Sequence, residues 1–536
     1  MNHCFESIRL CFLAILSTLG LSACLSGGGD SSSSGQVSGS PSAPAGTCAS
    51  VTYAAPSGVA NDIVFTFDKP YVCGQFANGD WWVAKDASGF VTITAITPNA
   101  SAGKNGFEVN PSSPAQQAFD STASVPFNAA LMPALPLAVT GVSSVVKAVS
   151  KSVPSLPQLQ FAAVLTVVNA PIANSSEVFR PGYFGAAGKV FYNVPSAAAV
   201  AGLPLGSHTP VGVPSAAGFT MASIVTRYRQ VQLDHNSGFA GRDMHPADNM
   251  PDYGAQIATD NAVYLLRMLL SDFNYSNVTH RQALIGYLQM AIDIRAMAVG
   301  GSEWNADGGH ANGRKLPLQF AHMVFGGTDF SNAIAASIFS EDRQVYRSVA
   351  TGEVLWGRVF AATEVEYWRT TIGALGEAPP GGAKDIRDYY GRIDGAGYQL
   401  GQPAEYQGCC TSLPWKYTVL ALYLLGLESP PASIPLPATS NLVEYVERWV
   451  NYGYKAADTI TNINLTTGVI TPVPQGLAVC ARPLVPSAAL YGVNYGPDGG
   501  ASCIVGLNNW TVLDNTSANG GGYGSVFGNE LWAWYR

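Results

Sequence analysis

Charge is scarce in this chain. Only 12% of its 536 residues are Asp, Glu, Lys or Arg, with 28 basic residues against 36 acidic ones and a formal net charge of −8. Such a balance argues against nucleic acid or an anionic membrane surface as a general partner; an anionic ligand would need a local cluster of cations. No CxxC spacing occurs, which argues against a zinc site built on thiolates, and neither HxH nor HExxH is present. No internal repeat of fixed period is found, so a solenoid or propeller array is not indicated. The apolar run 10–21, "LCFLAILSTLGL", is too short to span a membrane as a helix.

That run has another use. It leads into "LSAC", Leu21 to Cys24, and then into "LSGGGDSSSSGQVSGSPSAPAG". The pattern looks like a bacterial lipoprotein signal, cut before Cys24, which becomes the acylated first residue; an ordinary secretory peptide is the alternative. Residues 1–23 are then the signal and 24–47 a Ser/Gly-rich tether that lets the rest stand off a membrane. Leu25 is not aspartate, so an outer-membrane or cell-surface address is expected for a lipid-anchored protein of the bacterial cell envelope. Six of the nine cysteines remain for an oxidising compartment: Cys48, Cys73, Cys409, Cys410, Cys480 and Cys503. Local closure favours Cys48–Cys73 and Cys480–Cys503.

Beyond the tether the hydrophobic period changes once. Residues 48–233 alternate apolar and polar residues in "DIVFTFDKPYVCGQF", "FVTITAI" and "FAAVLTVVNA", with turn residues between them. They are read as a β-sandwich-like domain. Residues 234–455 carry helical periodicity. Ala258, Ala262, Leu265, Leu266 and Leu269 share one face, and Thr279 with Gln282 reads as a capping box for a helix ending at Gly300. Further helices are expected at 316–325, 331–339, 341–375, 413–427 and 440–452, and Pro317 and Pro414 suit first-turn positions. Residues 456–536 are an irregular, partly β segment stapled by the second disulfide. The fold class is multidomain α+β.

Three polar runs interrupt this pattern. "NADGGHANGRK", residues 305–315, begins like a phosphate-binding loop. Arg314 and Lys315, however, stand where Lys and a hydroxyl residue belong, and the run follows a helix rather than a strand. What survives is a polar interhelical loop presenting Asp307, His310, Asn312 and Arg314, with helix capping as its plainer role. "DHNSGFAGRDMHPADNMPDYG", residues 234–254, gathers His235, Arg242, His245 and Tyr253 where the β-part meets the helices, a usual place for a cleft. "YYGRIDGAGYQLGQPAEYQGCC", residues 389–410, offers Tyr398 and Tyr406, suited to stacking on sugar rings and equally to packing.

A β-domain beside a helical (α/α) toroid, on an exported chain with aromatic-rich loops, resembles toroid polysaccharide lyases and glycoside hydrolases. In the lyases the sandwich follows the helices, whereas here strands come first. The resemblance implies a polysaccharide substrate, and the two chemistries differ in what they need. A uronate lyase needs a base, an acid, and Asn, His or Arg around the substrate carboxylate. A hydrolase needs two carboxyl groups, for which Asp243, Asp248, Asp252, Glu303 and Asp307 are available. Clustered His, Asn and Arg in a cation-poor chain favour the lyase, acting by β-elimination. His310 and Tyr253 are then expected to transfer protons, with Asn312 and Arg314 holding the carboxylate. His235, Arg242, His245, Asp307, Tyr398 and Tyr406 are expected at the substrate. No cofactor is required; a structural divalent metal on His235, His245 and an aspartate is the alternative use of those residues. A non-catalytic glycan-binding lipoprotein is the reading from another class, and the membrane is met through the lipid alone.

Overall fold

Alternating residues in the first half of the chain do form strands. The computed structural model describes residues 46–153, 155–212, 219–236, 238–305, 308–347, 354–356, 408–427, 441–446 and 523–535. It also describes the short strands at 454–455, 461–463, 470–472 and 494–495. Strands β1 (Gly46–Tyr53), β2 (Ile63–Gln75), β3 (Trp81–Ala84), β4 (Phe90–Thr97), β5 (Phe107–Val109), β6 (Leu137–Thr140), β7 (Ser143–Ser150) and β8 (Leu159–Val168) belong to one sheet. Its order is β5-β7-β8-β3-β2-β4-β6, with β1 paired to β2. All neighbours run antiparallel except β3 and β8. The strands expected as a β-sandwich therefore hydrogen-bond into a single curled, mixed sheet.

The two faces of that sheet bury different cores. Ile63, Phe65 and Phe67 of β2, Val91 and Ile93 of β4, Val145 and Val149 of β7, and Phe161, Ala163 and Leu165 of β8 share one cluster inside the curl. The intervening Val146, Ala148, Ala162 and Val164 point the other way and join a second cluster with the helices. Strand β8 is thus buried on both faces, which explains its nearly unbroken apolar sequence. No break in packing marks the expected boundary at 233/234, because the second cluster takes side chains from both sides of it.

Cys48 and Cys73 form a disulfide with Cα atoms 5.9 Å apart, tying β1 to β2 as their spacing suggested. Cys410 is disulfide-bonded as well. Replacing Cys48 and Cys73 by serine should cost about 3 kcal/mol on the loop-entropy account, for a separation of 25 residues. A urea titration under oxidising conditions would measure it as a lowered midpoint.

Helices appear earlier than the periodicity suggested, with α1 (Met221–Tyr228) inside the stretch read as strands. Thr220 caps it, accepting from the Ser223 amide at 3.1 Å, but eight residues are too few for a helical stripe to be read. Then come α2 (Gly254–Leu269), α3 (Val278–Val299), α4 (Lys315–Phe325), α5 (Asp329–Ala336), α6 (Leu413–Leu424) and α7 (Val526–Tyr535). The cap of α3 is Asn277 rather than Thr279; its side chain accepts from the Thr279 and His280 amides at 2.9 and 3.3 Å. Gly300 ends α3 as expected, and Pro414 sits in the first turn of α6. The long helix expected over 341–375 is not present in the described residues of that stretch. Among the described residues of that stretch there are one turn at Ser340–Arg343 and two short antiparallel strands, β9 (Val345–Arg347) and β10 (Val354–Trp356). The β-branched and aromatic residues Val345, Tyr346, Val354 and Trp356 favour that pairing over a helix. Helix α1 packs on α3, and α2 on α6. No helix among the described residues is long and apolar enough to cross a membrane. Cys24, residues 24–45 of the tether and the pair Cys480–Cys503 lie outside the described residues, while Gly46 and Thr47, expected as tether, already belong to β1.

Candidate functional site

The polar runs 234–254 and 305–315 meet at one buried carboxylate. Asp234 accepts from Arg314 twice, Nε to Oδ2 at 2.7 Å and Nη2 to Oδ1 at 2.9 Å. His245 Nε2 lies 3.0 Å from the same Oδ1, and its Nδ1 is 2.9 Å from the Pro251 carbonyl oxygen. Both ring nitrogens of His245 therefore lie within hydrogen-bond distance of an oxygen. Burial pushes the Asp234 carboxyl up, but Arg314 and His245 outweigh it and hold the group well below the usual carboxylate range.

Two glycines let the runs come this close. Gly313 has a φ of +94°, and a Cβ there would lie 2.4 Å from the Ala258 Cα in α2. Its carbonyl accepts from Asn261 Nδ2 at 2.8 Å and its amide donates to Glu341 Oε1 at 2.7 Å. Gly254 opens α2 directly against the loop: a Cβ there would sit 2.0 Å from the His310 carbonyl oxygen.

That apposition presents a partly exposed aromatic and cationic face. The rings of Tyr253 and His310 are 4.7 Å apart and nearly perpendicular at 88°. Phe239, half exposed, stands 5.1 Å from the His310 ring on its other flank, and Tyr523 lies 4.8 Å from Tyr253. The Arg242 guanidinium sits 5.5 Å from the Phe239 centroid and 5.8 Å from that of Tyr253, and it pairs with Asp252. The near-perpendicular rings and the guanidinium beside them hold one another in place.

The residues named from sequence divide accordingly. His310 and Arg242, both half-buried, and Tyr253, only 8% exposed, converge on this face. Arg314 and Asn312, expected to hold a substrate carboxylate, are buried; Arg314 does grip a carboxylate, but it is that of Asp234. Its Nη1 is taken up by the His310 and Asn312 carbonyls, while Asn312 Nδ2 donates to the Cys410 carbonyl at 3.0 Å. His235 is also interior, its Nδ1 3.0 Å from the Tyr183 hydroxyl and its ring set among Phe119, Tyr183 and Phe184. Burial lowers its imidazole to about 4, so it stays neutral at neutral pH. With His245 engaged by Asp234 and Pro251, neither histidine faces a substrate. Asp307, Tyr398 and Tyr406 lie outside the described residues. Among the described residues no group of three or more His, Cys, Asp or Glu side chains is placed to hold a metal ion.

Asp234, Phe239 and Tyr523 were not assigned from sequence. The first two stand inside the run 234–254, so the run was the signal, although nothing in it ranks one residue above another. Tyr523 follows a glycine stretch without any motif. Comparison of the chain with family models, with curated proteins and with solved structures gives no match.

Proposed function

We propose that this chain is an exported polysaccharide-degrading enzyme, a lyase that cleaves uronic-acid-containing glycans by β-elimination. The observation that carries the reading is the convergence of His310, Tyr253 and Arg242 on one partly exposed aromatic face. His310 removes the proton next to the substrate carboxyl group, and Tyr253 donates one to the departing glycosidic oxygen. The C–H and C–O bonds break as the C4–C5 double bond forms. Arg242 neutralises the carboxylate in place of Asp252, stabilising the enolate-like state.

The finer architecture belongs to the same proposal: paired helices arranged as an (α/α) toroid after the sheet. So do the lipid anchor at Cys24 and an outer-membrane or surface address. Of the carboxylates open to the hydrolase alternative, Glu303 is exposed, Asp307 lies outside the described residues, and three are engaged. Asp248 pairs with Arg229, Asp252 with Arg242, and Asp243 accepts from the Ser124 amide at 2.6 Å.

Incubation with uronate and neutral polysaccharides would follow ultraviolet absorbance of an unsaturated product together with new reducing ends. Both should rise on a uronate glycan. His310→Ala and Tyr253→Phe should each lower kcat by about 10²–10⁴-fold, the usual contribution of a positioned acid or base. Arg242→Lys should mainly raise KM. Reducing ends without absorbance would replace the lyase by a hydrolase, and glycan binding without either signal would leave a binding protein.

A further inference from the structure

The geometry points to Asp234 as a positioning residue that sets Tyr253 and His310 against each other by gripping, through one side chain each, the backbone on which both stand. The inference rests on reading Tyr253 and His310 as the reacting pair. One arm runs from Asp234 to Arg314 at 2.7 and 2.9 Å and on to the His310 carbonyl, 3.4 Å from Arg314 Nη1. The other runs from Asp234 to His245 at 3.0 Å and on to the Pro251 carbonyl at 2.9 Å, two residues before Tyr253. Asp234, His245 and Arg314 are all at most 4% exposed, so water does not compete for these bonds.

A buried ion pair commonly serves only to hold a fold together. Here the far end of each arm distinguishes it, since each lands on main chain beside a proposed reacting residue. The chain three residues beyond the second landing point then meets the first, where Gly254 abuts the His310 carbonyl. Proton transfer tolerates little misplacement; a shift of about 1 Å can cost on the order of 10²-fold in rate. A single carboxylate that fixes both donor and acceptor backbones removes most of that freedom.

The test uses the whole chain with isotope-labelled histidine and follows the His310 ring signals, assigned with His310→Gln. The Tyr253 ring at 4.7 Å displaces those signals, a readout that needs no substrate. In Asp234→Asn the His310 displacement should collapse while the signals of His208, His280 and His322 stay in place. On a uronate glycan kcat should fall about 10- to 100-fold at nearly constant KM, and Asp234→Glu should recover part of it. Should Asp234→Asn lose all histidine dispersion through unfolding, His245→Ala decides instead. It cuts only the Tyr253 arm, should shift His310, and should be reversed by added imidazole. An unmoved His310 signal in a folded Asp234→Asn, or in His245→Ala, overturns the positioning role whatever the activity does. A moved signal in a protein inactive on every glycan keeps the role and removes the lyase reading.

Discussion

Arg180→Met is expected to lower stability by about 3–5 kcal/mol at pH 7, more than any substitution on the aromatic face. Arg180 is wholly buried. Its Nε donates to Asp80 at 2.6 Å, and its Nη1 and Nη2 meet the two oxygens of Asp293 at 2.9 and 2.6 Å. It thereby ties the turn before β3 to helix α3. A buried pair contributes little beyond a well-packed apolar substitute, but removing one member leaves uncompensated charge, which is where a cost of about 3–5 kcal/mol arises. Here two carboxylates are left behind. Burial already raises the Asp80 carboxyl despite Arg180 beside it. Without the guanidinium, the Asp80 carboxyl rises further above its unfolded value. A carboxyl raised in the folded state contributes stability below its unfolded pKa and loses it as pH rises. The variant should therefore be least impaired near pH 5 and most impaired at pH 7, as read from urea midpoints. Adding Asp80→Asn and Asp293→Asn should recover much of the loss. Equal destabilisation at both pH values would mean that lost packing, rather than stranded charge, governs the effect.

Lys147→Met should act in the opposite direction, stabilising the protein by about 2–4 kcal/mol at pH 7. Lys147 lies on the inner face of β7, between Val145 and Val149 and opposite Phe107, with no exposure, and its amine donates to the Asn105 carbonyl. Burial lowers that amine from 10.5 to about 7. Between those values the unfolded chain binds one proton more than the folded chain, so stability falls by about 1.36 kcal/mol for each pH unit lost. At pH 7 most of that penalty, roughly 4 kcal/mol, is in force. Methionine removes it while giving up one hydrogen bond worth about 1 kcal/mol. Lys189 carries the same depression, to about 7, and donates to Ser144 Oγ, Gly182 O and Tyr183 O. The slope of stability against pH between 7 and 9.5 should accordingly halve in the variant rather than vanish. An unchanged slope would place the Lys147 amine in contact with water.

Local periodicity was legible where one face of an element decides its fate. The runs around Phe65, Ile93 and Phe161 became β2, β4 and β8, and Gly300 stopped α3. It misled where a pattern was short or mixed, as for α1 and for residues 345–356. The sheet order was not legible, because alternation tells which side of a strand is buried and says nothing about its neighbour. The parallel pairing of β3 with β8 joins Trp82 to Thr166 across more than 80 intervening residues. The same limit applied to the candidate site. Residue type marked Arg314 as a carboxylate binder, and it is one, yet chemistry alone does not tell a substrate's carboxylate from that of Asp234. Arg180, which bridges two aspartates, stands in "FRPGYFG", where nothing in the sequence singles it out.

Strand β8, buried on both sides, has a consequence for how the chain can be divided. A fragment ending near residue 233 would keep the interior of the curl but strip Leu159, Ala162 and Val164 of the later residues that share their cluster. A fragment beginning there would lose the part of that cluster which the sheet supplies. Neither piece is a natural unit for expression, grafting or recombination, and a protease given the folded protein would find no linker at that point. The strand works as a party wall: each half of the chain relies on it, and neither can be moved elsewhere without it.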